Sequence, residues 1–199
     1  FYPHFNQEER PVIDYFTGLF NQIIFKHEPI LTDFLDPGKR AILKTIVGND
    51  VFMQEYGGYS NAEKKRVYLS EEWVNLQPSD YLIQPYKIEY PQKFIKINHS
   101  AILGTLANSG IETDTFGDII TDENGKWQFF AKKELVDFFE EQVTRIGRAQ
   151  VKLREISFKD VLVPKDDSTE KIEIVASMRI DAVLSGISKQ SRGQIQKMI

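Results

Sequence analysis

The side chains best suited to chemistry are few and scattered. Three histidines, His4, His27 and His99, lie in separate segments, and none belongs to a His-Glu-x-x-His helix or a finger spacing, so no metal site is predicted. There are no cysteines, which removes disulfides, thiolate zinc sites and cysteine nucleophiles and agrees with a reducing compartment. No serine sits in a nucleophile elbow. The one glycine pair, Gly57-Gly58, lacks the Lys-Ser/Thr of a phosphate loop and, between Tyr56 and Tyr59, reads as a tight turn. Asp33, Asp36, Asp114 and Asp118 can in principle supply paired carboxylates. Asp36 precedes Pro37 as a helix cap, however, and Asp114 lies in a Thr-Asp-Thr turn. The expectation is a protein without catalytic residues, cofactor or metal.

Recognition of RNA calls for phosphate-directed cations and aromatic faces for bases. Trp127, Phe129 and Phe130 fall on one predicted strand, where an RNA-recognition module presents stacking rings. The surrounding Lys-Trp-Gln-Phe-Phe-Ala does not reproduce that family's motif, and alternation puts Trp127 and Phe129 on one face and Phe130 on the other, so part of the set is core. In the last strand of the same block, Lys152 and Arg154 alternate with Val151 and Leu153, with Arg145 and Arg148 just before. That pattern fits either a solvated face balanced by Glu141 and Glu155 or a phosphate-contacting patch. Lys64, Lys65 and Arg66 form a second small cluster. At the end of the chain, Arg179, Arg192, Gln194 and Lys197 are polar positions of two short amphipathic helices, and Ser191 as a cap leaves free N–H groups at a helix start. By composition alone this segment fits a phosphate perch or a helical hairpin for a protein partner.

The elements that must position these residues fall into blocks, and the fold class is α+β. Residues 1–78 form a mixed helix/strand domain, with a helix over Pro11 to His27, a second from Asp36 to Gly48, and short strands at Val51 to Tyr56 and Val67 to Leu69. Residues 79–157 read as strand (Tyr81 to Tyr90), helix (Ala101 to Asn108), strand (Gly117 to Thr121), strand (Lys126 to Ala131), helix (Lys132 to Val143) and strand (Val151 to Ile156). Asn124-Gly125 provides the hairpin turn. This βαββαβ order is the ferredoxin-like arrangement shared by RNA-recognition modules and many unrelated proteins. Residues 158–176 read as a Pro- and Asp-containing linker, and residues 177–199 as helices.

The 199 residues are 41% hydrophobic and 27% charged, with a net charge of -4 and a pI near 5.5. A uniformly basic nucleic-acid binder is thereby excluded, and any such site is local. Lys171 to Ile199 holds five basic residues against two acidic ones, a balance of +3, so the preceding 170 residues carry -7. No stretch is apolar enough to span a bilayer and no signal-peptide pattern opens the chain, which predicts a cytoplasmic protein with no membrane partner.

Arg179-Ile180-Asp181-x-Val183-Leu184, followed by Ser191-Arg192-x-Gln194 and Ile199, resembles the opening helices of the RNA-binding domain named after small-subunit ribosomal protein four, the S-four domain. Its continuing strand and loop would follow Ile199, so residues 177–199 are read as its incomplete first part. Leu31-Thr32-Asp33-Phe34-Leu35-Asp36-Pro37, Tyr56-Gly57-Gly58-Tyr59-x-x-Ala62-Glu63-x-x-Arg66, Tyr90-Pro91-x-x-Phe94 and Phe116-Gly117-Asp118-Ile119 are similar to the YlmH family of bacterial S-four proteins, over essentially the whole chain. The resemblance implies RNA contact by Arg179, Ser191, Arg192, Gln194 and Lys197. It also implies a ribosome-associated, non-enzymatic protein binding structured ribosomal or transfer RNA on the large subunit, in the rescue of stalled nascent chains, with a genetic link to cell division. Arg148, Lys152, Arg154 and Lys64 to Arg66 are expected to form a second RNA surface on a monomer. The alternatives are an RNA-modifying enzyme such as a pseudouridine synthase, since S-four domains accompany such enzymes, and a cell-division adaptor.

Overall fold

A computed structural model describes residues 9–122 and 124–163. The first helix, α1 (Arg10–Lys26), buries Ile13, Phe16 and Ile23 along one face and stops where His27 turns to a left-handed φ of 56° and donates its N–H back to Ile23. Helix α2 (Pro37–Val47) starts as its sequence requires: Asp36 Oδ1 accepts from Lys39 N at 2.8 Å, Pro37 occupies the first turn, and Gly48 ends the helix. Between them lies β1 (Ile30–Leu35), a strand that the apolar pattern of the sequence does not announce. Strand β3 (Lys65–Ser70) is central, pairing antiparallel with β1 and with β2 (Phe52–Tyr56) in the order β1-β3-β2. The β1 register shifts between Leu31 and Phe34, where the Thr32 hydroxyl accepts from Val67 N at 3.0 Å in place of a ladder carbonyl.

The second sheet comprises β4 (Ile83–Glu89), β5 (Phe116–Thr121), β6 (Trp127–Lys132) and β9 (Lys152–Glu155), in the order β5-β6-β4-β9 and antiparallel throughout. With α3 (His99–Ala107) after β4 and α4 (Val136–Gln142) after β6, this is the expected ferredoxin-like βαββαβ connectivity. It carries one addition, a two-residue ladder of β7 (Arg145–Ile146) with β8 (Ala149–Gln150) inserted before β9. In the β5–β6 turn, Gly125 takes a positive φ; Asp122 Oδ1 organises the turn by accepting from Asn124 N and Lys126 N.

Three apolar clusters stack these elements in layers. One joins α1 and α2 to β1, β2 and β3 through Leu35, Val67 and Leu69. Another joins α3 and α4 to the four-stranded sheet through Tyr86, Ile88, Phe129, Ile102, Leu106 and Phe139. The third lies between the sheets, where Phe34, Tyr56 and Tyr68 meet Ile83, Ile120 and Phe130. Residues 9–163 therefore run helices, sheet, sheet, helices within one compact unit, and the blocks divided at residue 78 in sequence share a core. The expected linker also begins later than residue 158. Phe158, Val161 and Leu162 pack into the third cluster, while the buried Gln128 amide donates to Asp160 O at 3.0 Å and accepts from Leu162 N at 2.8 Å. Residues 164–176 and the S-four-like segment 177–199 lie outside the described residues.

Candidate nucleic-acid interface

Of the three clustered cations at positions 64–66, none is left for phosphate. Arg66 is only 3% exposed. Its Nε donates to Thr32 O at 2.8 Å, its Nη1 to Tyr81 O at 3.1 Å and Leu82 O at 3.0 Å, and its Nη2 meets Glu134 Oε1 at 3.4 Å. Burial pulls the guanidinium pKa down, against the opposing pull of Glu134 and Asp33. Lys64 Nζ donates to Thr113 O and Phe116 O and sits 4.7 Å above the Phe116 ring, with burial again depressing its pKa. Lys65 shares Glu55 with Arg40. All three fasten strand to strand or sheet to sheet. This corrects the expectation that they form part of an RNA surface: charge in the sequence signalled solvent, but backbone carbonyls and two carboxylates take up these donors.

Two of the carboxylates weighed as catalytic, Asp118 and Asp33, are absorbed in the same seam, and Asp36 caps α2. Asp118 accepts from Tyr59 Oη at 2.8 Å, Glu63 N at 2.7 Å and Lys64 N at 2.9 Å, tying the loop after Gly58 to β5. Asp33 pairs with Lys132, which also reaches Glu134 at 3.2 Å. Among the described residues no group of histidines and carboxylates is arranged to hold a metal ion, and no helix is long and apolar enough to cross a membrane.

Phe129 and Phe130 are both fully buried, on opposite faces of β6, and Trp127 is half-buried against the helix-side core. Phe130 stacks on Tyr59 with ring centroids 5.5 Å apart. The sheet face that an RNA-recognition module offers to bases is therefore occupied, over β5, β6 and the start of β4, by the three-stranded sheet and the 158–162 segment.

What remains open is one end of the four-stranded sheet. There Lys87 lies opposite Arg154 and Glu89 opposite Lys152 on the face away from the helices, and Lys152 and Arg154 are exposed. Arg154 Nη2 meets Glu89 Oε2 at 3.2 Å and Lys87 Nζ meets Glu89 Oε1 at 3.9 Å, so one carboxylate serves two cations and its pKa is held down by the Arg154 hydrogen bond. The topology delivers more cations to this end. The chain leaves β4 here into a loop with exposed Lys93, Phe94 and Lys96; the β5–β6 turn with Lys126 lies here; and α4 returns here into the β7–β8 ladder with exposed Arg145 and Arg148. Tyr90 Oη donates to Gly125 O at 2.8 Å, fastening the β4–α3 loop to the β5–β6 turn. Lys152 and Arg154 lie on one face of β9, and Arg148 lies in the β7–β8 turn that precedes it in the chain. Lys93 and Lys96 join them beside Phe94 of the YlmH-like segment, and the pattern Lys93-Phe94-x-Lys96 is their signal in the sequence, whereas Lys87 has none. Arg179, Ser191, Arg192, Gln194 and Lys197 lie outside the described residues.

Over its full length the chain is 34% identical to the Ribosome-associated protein quality control protein P2 of Bacillus subtilis, covering 77% of that protein. The chain belongs to the YlmH family. The family profile described as "Putative RNA-binding domain in YlmH" matches residues 77–160, which contain the four-stranded sheet and its open end. The solved Cell division protein ylmH from Streptococcus pneumoniae is similar at a TM-score of 0.66 and 31% identity, over 80% of this chain and 97% of that one. The segments that resemble the YlmH family map largely onto the seam between the sheets. Gly57 and Gly58 let the loop approach closely: a Cβ on Gly57 would fall 2.4 Å from Lys64 O, and one on Gly58 would fall 2.2 Å from the Phe130 ring. A Cβ on Gly117 would meet the Phe34 ring at 2.8 Å. In this YlmH-family chain those motif residues build the scaffold, and Tyr90-Pro91-x-x-Phe94 reaches the open end.

Proposed function

We propose that this protein binds structured ribosomal or transfer RNA without catalysing a reaction on it. In this reading it acts on the ribosomal large subunit in nascent-chain quality control, as a cytoplasmic monomer. The observation that carries the reading is the coincidence of the RNA-binding family profile with a region whose exposed cations collect at one end of a sheet. Ribosome association in quality control is the role named for the Bacillus subtilis relative. Cell division is named for the Streptococcus pneumoniae relative, and a genetic link to division is part of the proposal. Arg148, Lys152 and Arg154 supply phosphate contacts beside Arg179, Ser191, Arg192, Gln194 and Lys197 of the S-four-like segment. Two moderate surfaces on one chain bind more tightly than either alone through effective concentration.

Binding of a labelled ribosomal or transfer RNA fragment across a salt series tests this. Replacing both Lys152 and Arg154 by alanine is expected to weaken binding roughly threefold to tenfold and to reduce the slope of log affinity against log salt by about 2, one for each lost phosphate contact. Arg192→Ala is expected to reduce it by about 1. Unchanged slopes in both variants would remove these residues from the interface. Isomerised uridine in RNA incubated with the protein would favour the pseudouridine synthase reading. Co-purification with division proteins that survives nuclease treatment would favour the adaptor.

A further inference from the structure

We infer that Phe94 is a stacking platform for one unpaired base of the bound RNA, so that the open end of the four-stranded sheet reads a bulge or loop nucleotide. This deepens, and rests on, the RNA-binding reading above. Phe94 is 87% exposed although its backbone is held firmly, in a turn where Phe94 N and Ile95 N both donate to Pro91 O, at 3.0 and 3.1 Å, and Gln92 N donates to Tyr90 O. The loop is anchored at both ends, by the Tyr90 hydroxyl on Gly125 O and by Asn98 Oδ1 accepting from Ala101 N as the cap of α3. A large apolar ring carried outward on a short, tied turn needs little further ordering of the backbone on binding a partner.

The surroundings decide what that partner is. Lys93 and Lys96 flank the ring in the chain, Lys126 lies in the turn to which the loop is fastened, and Lys152 starts the strand paired with the end of β4. One ring among cations is too small an apolar area for a protein interface, whose core needs several contiguous apolar side chains. It matches one base, with the cations placed for the phosphates on either side. The sheet face that RNA-recognition modules use for stacking is covered, so Phe94 is the exposed ring of the matched region best placed to take that part.

The test uses the full chain and two RNA hairpins that differ only in a single bulged adenosine, with affinities from fluorescence anisotropy. The wild type is expected to prefer the bulged hairpin. Phe94→Ala should lose roughly tenfold on it, within the range expected for removing a base-stacking ring, while binding the fully paired hairpin as the wild type does. Phe94→Trp should restore the preference. If Phe94→Ala binds both hairpins as the wild type does, or loses equally on both, the stacking role is overturned and the RNA-binding reading stands. If the wild type binds neither hairpin and no ribosomal or transfer RNA, both fall.

Discussion

Replacing Arg66 by methionine is expected to lower the stability of the two-sheet unit by about 3–5 kcal/mol, the range for removing one partner from a buried charged network. The guanidinium leaves three carbonyls, on Thr32, Tyr81 and Leu82, without their donor in a site closed to water, while Glu134 keeps only Lys132. For a unit of this size the thermal midpoint should fall by roughly 10 °C. Arg66→Lys is expected to rescue little, because one ammonium cannot span acceptors on three elements. Thermal and denaturant unfolding provide the measurement, and a methionine variant within about 1 kcal/mol of the wild type would refute the structural role. RNA binding separates the two meanings of this charge. Below the unfolding transition the salt slope of Arg66→Met should equal that of the wild type, whereas a phosphate-contacting arginine would reduce it by about 1.

The second large effect concerns Gly58, whose φ of 105° disfavours any side chain and whose missing Cβ leaves room for Phe130. Phe130 is fully buried between Tyr59 and the third cluster and has nowhere to retreat. Gly58→Ala therefore combines backbone strain with overpacking and is expected to cost about 2–5 kcal/mol. Gly147→Ala is the control: its φ is also positive, at 56°, but no atom lies within 4 Å of the added Cβ, so it should cost only about 1 kcal/mol. Equal losses at the two glycines would show that the contact with Phe130 contributes nothing.

Local rules made the helices and most of the ferredoxin-like order legible. Asp36-Pro37, Gly48 and the apolar spacing of α1 act within a turn or two of chain, where side chain and backbone meet directly. Strand β1 escaped because Thr32 and Asp33 interrupt its apolar run; both are used by partners distant in sequence, Val67 N and Lys132. The same non-locality hid which basic residues are buried and which lie exposed on the sheet. Arg66 and Lys152 are alike as letters, but one meets three carbonyls across a seam and the other lies on an open strand. Phe129-Phe130 hinted at the covered face, since adjacent large rings on a strand require burial on both sides. What covers the second ring, Phe130, is set by tertiary placement of β1 and its Phe34, which no local signal in the sequence specifies.

The layer between the sheets also bears on how the molecule is taken apart. A fragment cut to residues 77–160 would lose the partners of Ile83, Ile120 and Phe130 and leave Lys132 and Glu134 without Asp33 and Arg66. Its sheet would present to water the kind of broad greasy surface that drives self-association. The strands that precede residue 77 complete that core, so residues 9–163 are expected to unfold as a single piece.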